Sequence, residues 1–232
     1  MEDKNTPIRY YDLKSQQTLE TIQTLLERGI DRMSVIVRHS DRHYHKDPRM
    51  EPFMGLTDTG KSYALDMGKA FPAIPPRLFA SHFGRCIETA YLIDKGYTVT
   101  HGRYPDPVET CDLLAPFYIQ DIEKAMVLMM TMGSRTFIRS WFNRDLDPGI
   151  MEDPEITTDR LCAFMTDRLD GLLGPGIAVC VSHDWNIFPI REFRLGLTHE
   201  DAGDVGYLDG VVFYRENGQV FAQTHQSGPT PV

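Results

Sequence analysis

The sequence contains no apolar stretch long enough to cross a bilayer, and residues 1–5 are polar or charged rather than the start of a hydrophobic signal segment. These absences disfavour a helical membrane protein and a secreted one. We therefore expect a soluble cytoplasmic protein that has no membrane partner.

Positive charge is also in short supply. The chain has 24 Lys and Arg residues against 33 Asp and Glu residues, which gives a formal net charge of −9. This balance argues against nucleic acid as a partner. A small anionic ligand is still compatible with it, because a few converging arginines dominate the electrostatic field inside a cleft.

Cysteine is scarce and scattered, with four residues and no CxxC pair. Two of the four lie within apolar helix or strand patterns, which predicts reduced, buried thiols rather than disulfides. The four are Cys86, Cys111, Cys162 and Cys180.

Length and composition fit one domain over residues 1–232, because 41% hydrophobic residues are enough for a full core. Helical spacing of apolar residues over 15–29 precedes an apolar run, and a helix capped by Thr57 follows that run. Strand-like residues 77–81 and a helix over 85–95 continue the alternation. Alternating strands and helices predict a three-layer α/β/α sandwich with a mostly parallel central sheet.

The alternation breaks between residues 100 and 154, where prolines punctuate a loop and a long, methionine-rich helical stretch is predicted over 119–142. We interpret this part as a small helical insertion, or cap, over the strand ends. A helix over 157–173 then resumes the pattern.

The sequence of the C-terminal part predicts a hairpin followed by a tail. The pair Asn217-Gly218 lies between two apolar runs and indicates the turn of a β-hairpin. Residues 227–231 are rich in glycine and proline, and we expect them to form a frayed tail.

Two apolar runs, 33–37 and 176–181, each have a histidine as the second residue after the run. Arg38 and His39 directly follow the first run, and His183 follows the second run after Ser182. Open α/β sheets bind ligands at the carboxyl ends of their strands, so both histidines are expected at one rim. Further polar residues stand beside these histidines: Arg42, Ser182 and Asp184.

A third strand-like run, 77–81, is followed by Arg85 in the first turn of the next helix. Three arginines, two histidines and a carboxylate at strand ends suit an anionic substrate that needs a nucleophile and a proton donor. Phosphate esters match this description best.

The motif blocks and their order resemble the histidine phosphatase superfamily, which has a phosphoglycerate-mutase-like fold. The resemblance runs from about Val35 to Phe213, and residues 56–60, which open a helix after the first motif, provide a further block. The blocks that carry it contain Arg38, His39, Arg42, Arg85, His183 and Asp184.

The resemblance implies a phosphomonoesterase that acts on a small phosphate ester through a phosphohistidine at His39. Its other ring nitrogen is expected to bond a backbone carbonyl, and Asp184 is expected to protonate the leaving group. No metal or cofactor is required. The expected phosphate-binding residues are Arg38, Arg42, Arg85 and His183.

Some positions depart from the family pattern. Ser40 stands where the family usually has glycine, and Tyr44 stands where the acid-phosphatase branch tends to have proline. The His183-Asp184 pair is similar to that branch. In the mutase branch the acid is a glutamate about two dozen residues after the helix arginine, and Glu109 lies 24 residues after Arg85. Glu109 is therefore a rival to Asp184 as the acid.

Three other functions remain open at this stage. A phosphoglycerate-type mutase would share the phosphohistidine, and a non-catalytic phosphate-binding protein would use the arginines alone. A metal-dependent hydrolase is suggested by Asp41, His43 and His45, which lie close to His39 in the sequence. The sequence gives neither the substrate nor the oligomeric state.

Overall fold

The computed structural model describes residues 14–232. Seven strands form one sheet in the order β3-β2-β4-β1-β5-β6-β7. In chain order the strands are β1 (Arg32–Arg38), β2 (Pro76–Ala80), β3 (Glu109–Thr110), β4 (Gly176–Ser182), β5 (Gly210–Glu216), β6 (Gln219–Thr224) and β7 (Ser227–Pro231).

Eight helices of the described chain cover this sheet. They are α1 (Gln16–Glu27), α2 (Asp58–Ala70), α3 (Gly84–His101), α4 (Ile122–Met132), α5 (Ser134–Phe142), α6 (Pro154–Asp170), α7 (Asp184–Leu195) and α8 (His199–Ala202). A 3₁₀ helix, Pro48–Phe53, lies between β1 and α2. No helix within residues 14–232 is both long and apolar enough to cross a membrane.

The sheet is parallel in its centre and antiparallel on one side. Strand β1 is parallel to β4, β4 to β2 and β2 to β3, whereas β5, β6 and β7 continue as antiparallel neighbours. All seven residues of β4 are buried, which is typical of a parallel strand covered on both faces. The predicted α/β/α sandwich is confirmed.

Alternate side chains of the strands pack into two hydrophobic cores on opposite faces of the sheet. Val35 and Val37 pack with α1, α2 and α3 on one face. Ile36, between them, packs with α5, α6 and α7 on the other. Because the side-chain period of a strand is two, one continuous apolar run supplies both layers.

The helical stretch predicted over 119–142 consists of two helices. Helix α4 ends at Met132 and α5 begins at Ser134, because Gly133 has φ +83 and interrupts the helical path. Helix α5 then packs against α7, where the rings of Phe137 and Trp185 stack at 5.7 Å. The proposed role of residues 100–154 as a cap stays a prediction.

The frayed tail predicted over residues 227–231 is also wrong, because these residues form strand β7 at the edge of the sheet. The backbone of β7 pairs antiparallel with β6, with Thr224 opposite Ser227. An edge strand tolerates proline and needs no apolar side chains, so its composition gave no signal. The hairpin at Asn217-Gly218 between β5 and β6 is confirmed.

Candidate active site

Strands β1, β2 and β4 end side by side, and this alignment assembles the site. Arg38 is in register with Ser182, and Ala80 is in register with Val181. The next residue of each strand therefore reaches the same rim. The rings of His39 and His183 lie there with centroids 5.5 Å apart, close enough for both to contact one phosphate group.

His39 has the electronic state that a nucleophile needs. Its Nδ1 lies 2.7 Å from the carbonyl oxygen of Ser40, so Nδ1 carries the hydrogen and donates it. Its Nε2 has no hydrogen-bond partner among the described residues. Burial, and then the positive charge of Arg85, hold the pKa of His39 well below 6.5. The ring is therefore neutral near pH 7, with a lone pair on Nε2.

His183 is connected differently. Its Nδ1 lies 3.3 Å from Nη2 of Arg85, and its Nε2 lies 3.1 Å from Oγ of Ser81. A guanidinium group only donates, so Nδ1 accepts and Nε2 carries the hydrogen. Burial and the nearby Arg85 lower the pKa of His183 well below 6.5. In this arrangement His183 orients Arg85, and its N–H is directed to Ser81 rather than being free for a phosphate.

Arg38 lies between the rim and the C-terminal half of the chain. Its Nη1 donates to the carbonyl oxygen of Val205 at 2.6 Å, and its Nη2 lies 3.1 Å from Oδ2 of Asp184. The guanidinium also lies 4.4 Å from the ring centre of Tyr207. These three contacts hold the cation beside the proposed acid.

Arg42 and Arg85 meet at Glu51. Nη1 of Arg42 pairs with the Glu51 carboxylate, and Nη1 of Arg85 donates to the Glu51 carbonyl oxygen at 2.7 Å. Each guanidinium lies over an aromatic ring, Arg42 over Tyr44 at 3.8 Å and Arg85 over Phe83 at 4.8 Å. Burial lowers the pKa of the Arg85 guanidinium below its usual value. Two of the three predicted phosphate-binding arginines, Arg42 and Arg85, therefore meet at one residue.

The two rival acids occupy different places. Asp184 is the first residue of α7, at the rim, where its Oδ1 accepts a hydrogen bond from the backbone of Trp185 at 2.9 Å. Glu109 lies on β3 opposite Phe79, before the end of β2, and its carboxylate pairs with Arg77 at 3.3 Å. The geometry favours Asp184, whose role as the acid stays a prediction.

The block at residues 56–60 supports the nucleophile loop. Thr57 caps α2 by accepting from the backbone of Gly60 at 2.9 Å, and it donates to Oδ2 of Asp41 at 2.7 Å. A Cβ at Gly60 would lie 2.0 Å from the Asp41 carbonyl oxygen, so only glycine fits there. Ser40 donates its hydroxyl to the Gly60 carbonyl oxygen at 2.8 Å. Serine is thus accommodated where the family usually has glycine.

The four side chains considered for a metal do not converge. Asp41 accepts from Thr57, and His45 bonds the backbone of Asp47. Nδ1 of His39 already donates to the Ser40 carbonyl oxygen. Within residues 14–232, no group of three or more His, Cys, Asp or Glu side chains is placed to hold a metal ion.

The sequence interpretation missed Glu51 and Tyr207. Glu51 lies in a charged segment without periodicity, so nothing distinguished it from a solvated residue. Tyr207 lies in a turn closed by Asp209 N–H and the Gly206 carbonyl at 3.2 Å, with its ring 6.1 Å from that of His39. Leu208, next in this turn, has φ +62, a conformation that is disfavoured for leucine.

Comparisons with known proteins give the fold. No family model matches this chain, and no curated protein matches it either. Solved structures do match with probability 1.00. YhfR from Bacillus stearothermophilus has a TM-score of 0.60 at 17% identity, over 84% of this chain and 97% of that one.

Two further matched structures are of proteins named for phosphate chemistry. A phosphoglycerate mutase from Bacillus anthracis has a TM-score of 0.52 at 19% identity, over 84% of this chain and 93% of that one. A putative alpha-ribazole-5'-P phosphatase from Escherichia coli has a TM-score of 0.53 at 14% identity, over 83% and 95%. At these identities the similarity establishes architecture. The chain therefore has the phosphoglycerate-mutase-like fold of these solved structures.

Proposed function

We propose that this protein is a phosphomonoesterase that hydrolyses a small phosphate ester through a phosphohistidine at His39. The observation that carries the proposal is a neutral His39 with a free Nε2, placed among three arginines at the ends of parallel strands. Two of these arginines, Arg42 and Arg85, converge on one acceptor residue. A tetrahedral dianion suits such an arrangement.

In the first step, Nε2 of His39 attacks phosphorus and the N–P bond forms while the P–O bond to the leaving group breaks. Nδ1–H, which donates to the Ser40 carbonyl, holds the ring in the reactive tautomer. The guanidinium groups stabilise the charge on the transferring phosphoryl group. Protonated Asp184 gives its proton to the departing oxygen.

In the second step, a water molecule attacks the phosphohistidine. The N–P bond breaks, Asp184 accepts the proton from the water, and inorganic phosphate is released. His39 returns to its neutral state, and Asp184 is again protonated for the next cycle. Arg38, 3.1 Å from the Asp184 carboxylate, stabilises its charged form between the two steps.

A phosphoglycerate-type mutase is the second candidate, because it would use the same phosphohistidine and the fold is shared with a mutase. We place it second because the carboxylate of Glu109, the acid in the mutase pattern, pairs with Arg77, whereas Asp184 lies beside Arg38. A mutase would return the phosphoryl group to a sugar acid, whereas the proposed enzyme delivers it to water.

The test is trapping with an alkaline denaturing quench during turnover of a ³²P-labelled phosphomonoester. We expect acid-labile, base-stable label on His39 and release of inorganic phosphate. Label on another residue, or turnover without a trapped intermediate in both wild-type protein and a slowed variant, would refute the mechanism. A panel of phosphomonoesters, including phosphorylated sugar acids, would then identify the preferred leaving group.

A further inference from the structure

A short flap leaves the active-site rim after Arg42 and returns at Leu56. We define the flap as residues 43–55. Its neck is fixed, because Arg42 and Leu56 form an antiparallel bridge and the backbone of His43 donates to the Gly55 carbonyl at 3.0 Å. The backbone of Leu56 also donates to Oε2 of Glu88 on α3, at 2.7 Å. The flap therefore has an anchored base.

The rest of the flap buries little apolar surface. Tyr44 is 65% exposed, Phe53 72% and Met50 40%. Polar contacts hold it against the body of the protein instead, including a bond of 3.3 Å between the hydroxyl groups of Tyr44 and Tyr207. A segment held by few apolar contacts opens at low free-energy cost.

Glu51 is the residue through which the flap meets the site. Its carboxylate pairs with Nη1 of Arg42, and its carbonyl oxygen accepts from Nη1 of Arg85 at 2.7 Å. The other carboxylate oxygen accepts from the backbone of His45, within the flap, at 2.9 Å. One residue thus presents acceptors to two of the three proposed phosphate-binding arginines.

A carboxylate oxygen and a phosphate oxygen accept from the same guanidinium donors, so Glu51 and a phosphate compete for Nη1 of Arg42. The donors that Glu51 occupies cannot serve a phosphate at the same time. We propose that Glu51 is a built-in competitor of the substrate phosphate, and that the flap moves outward when phosphate takes over Arg42 and Arg85. This inference rests on the proposed function, because it assumes that these arginines bind phosphate.

The alternative role for Glu51 is permanent positioning of Arg42, and the two roles predict opposite signs. A competitor weakens phosphate binding, so its removal strengthens binding. A positioning residue strengthens phosphate binding, so its removal weakens it.

The experiment measures the dissociation constant of inorganic phosphate by calorimetry with wild-type protein and with Glu51→Gln. Glutamine keeps the size and an acceptor oxygen but removes the charge. We expect the dissociation constant to fall about tenfold, the scale of one lost charge-assisted hydrogen bond at a partly exposed site. The KM for a phosphate ester should fall with it.

Asp47→Asn is the matched control. Asp47 lies in the same flap, and its carboxylate contacts Arg49 and caps the 3₁₀ helix, where asparagine caps equally well. The substitution changes the net charge as Glu51→Gln does, without touching Arg42 or Arg85. We expect less than a twofold change in phosphate affinity.

Limited trypsin digestion gives a second readout on unmodified protein. Lys46 and Arg49 are exposed on the flap, so saturating phosphate should speed cleavage after them if the flap moves outward. Unchanged or weaker phosphate binding in Glu51→Gln overturns the inference, and so does slower cleavage within the flap. Phosphate binding is also measured with His39→Ala and with the double variant His39→Ala/Glu51→Gln, in which no phosphoryl transfer to His39 can occur. If wild type and His39→Ala both bind no phosphate, the proposed function is refuted, and the inference about Glu51 is refuted with it.

Discussion

The ends of β1 and β4 look alike in sequence and differ in chemistry. Each is an apolar strand that ends in a buried histidine, and the two rings lie 5.5 Å apart. At β1, the Ser40 carbonyl fixes the hydrogen of His39 on Nδ1 and leaves Nε2 open. At β4, Arg85 and Ser81 occupy both nitrogens of His183.

The comparison shows that the neighbours of a histidine decide its role. A carbonyl acceptor produces a ring that can attack phosphorus. A guanidinium donor produces a ring that serves as an acceptor and holds that cation in place. We infer that the first strand end does the covalent chemistry and the second organises the electrostatics.

The largest effect should follow from changing the histidine at β1. We expect His39→Ala to lower kcat about 10⁴-fold or more, because nothing else at the rim can form the covalent intermediate. Steady-state kinetics would measure this, with circular dichroism to show that the fold is intact. Activity near that of wild type would show that His39, after β1, does not form the covalent intermediate.

The acid beside the second histidine gives the next largest effect. We expect Asp184→Asn to slow the hydrolysis of alkyl phosphates by roughly 10²–10⁴, the usual range for loss of a general acid. Aryl phosphates should be affected less, because a phenolate leaves without a proton. Comparing kcat/KM for one alkyl and one aryl ester measures the difference.

Glu109→Gln is the paired control for this acid, and we expect it to be nearly neutral for both ester types. The reverse pattern, with Glu109→Gln slowing alkyl esters and Asp184→Asn harmless, would refute the assignment of Asp184. It would also move the protein towards the mutase candidate.

A smaller effect should follow from removing the hydrogen bond between His183 and Ser81. Ser81→Ala removes the acceptor of His183 Nε2–H, so the ring holds Arg85 less firmly. We expect kcat/KM to fall roughly threefold to tenfold, in proportion to one hydrogen bond. Ser182→Ala is the control, because this buried serine donates to the Leu114 carbonyl and does not touch the ring. If Ser81→Ala raised kcat/KM, His183 would be a direct phosphate donor.

Both histidines should appear in the pH dependence of stability. Their pKa is lowered from 6.5 in the folded protein, so only the unfolded state takes up protons as the pH falls below about 6.5. Stability is therefore unaffected above this pH and is lost below it, by up to about 1.4 kcal/mol per pH unit for each histidine.

Urea unfolding at pH 7.5 and 5.5 measures this loss. We expect the loss to shrink when His39 and His183 are both changed to glutamine, and to shrink about half as much in either single variant. An equal loss in wild type and the double variant would show that the histidines are not the source.

The features of the fold and of the site that were predicted from sequence have local signals. The apolar run before Arg38 marks a buried strand, Thr57 marks a helix start, and Asn217-Gly218 marks a hairpin. Each depends on a few adjacent residues, so the pattern can be read without knowledge of the rest of the chain.

The parts that were missed depend on distant partners. Glu51 matters only because Arg42 and Arg85 are brought to it, and the segment around it has no period. Strand β7 exists because β6 offers a free edge, not because residues 227–231 favour a strand. The tautomer of His183 follows from Arg85 and Ser81, which lie far away in the sequence.

The strand order also has a consequence for biosynthesis. Strand β1 is made early, but its two neighbours, β4 and β5, come from the C-terminal part of the chain. The emerging chain must therefore carry an unpaired apolar strand until residues 176–216 have left the ribosome. Long-range parallel pairing is slow and exposes aggregation-prone surface. We expect ribosome-bound chains that stop before β4 to be protease-sensitive, and His39 to become reactive only near the end of synthesis.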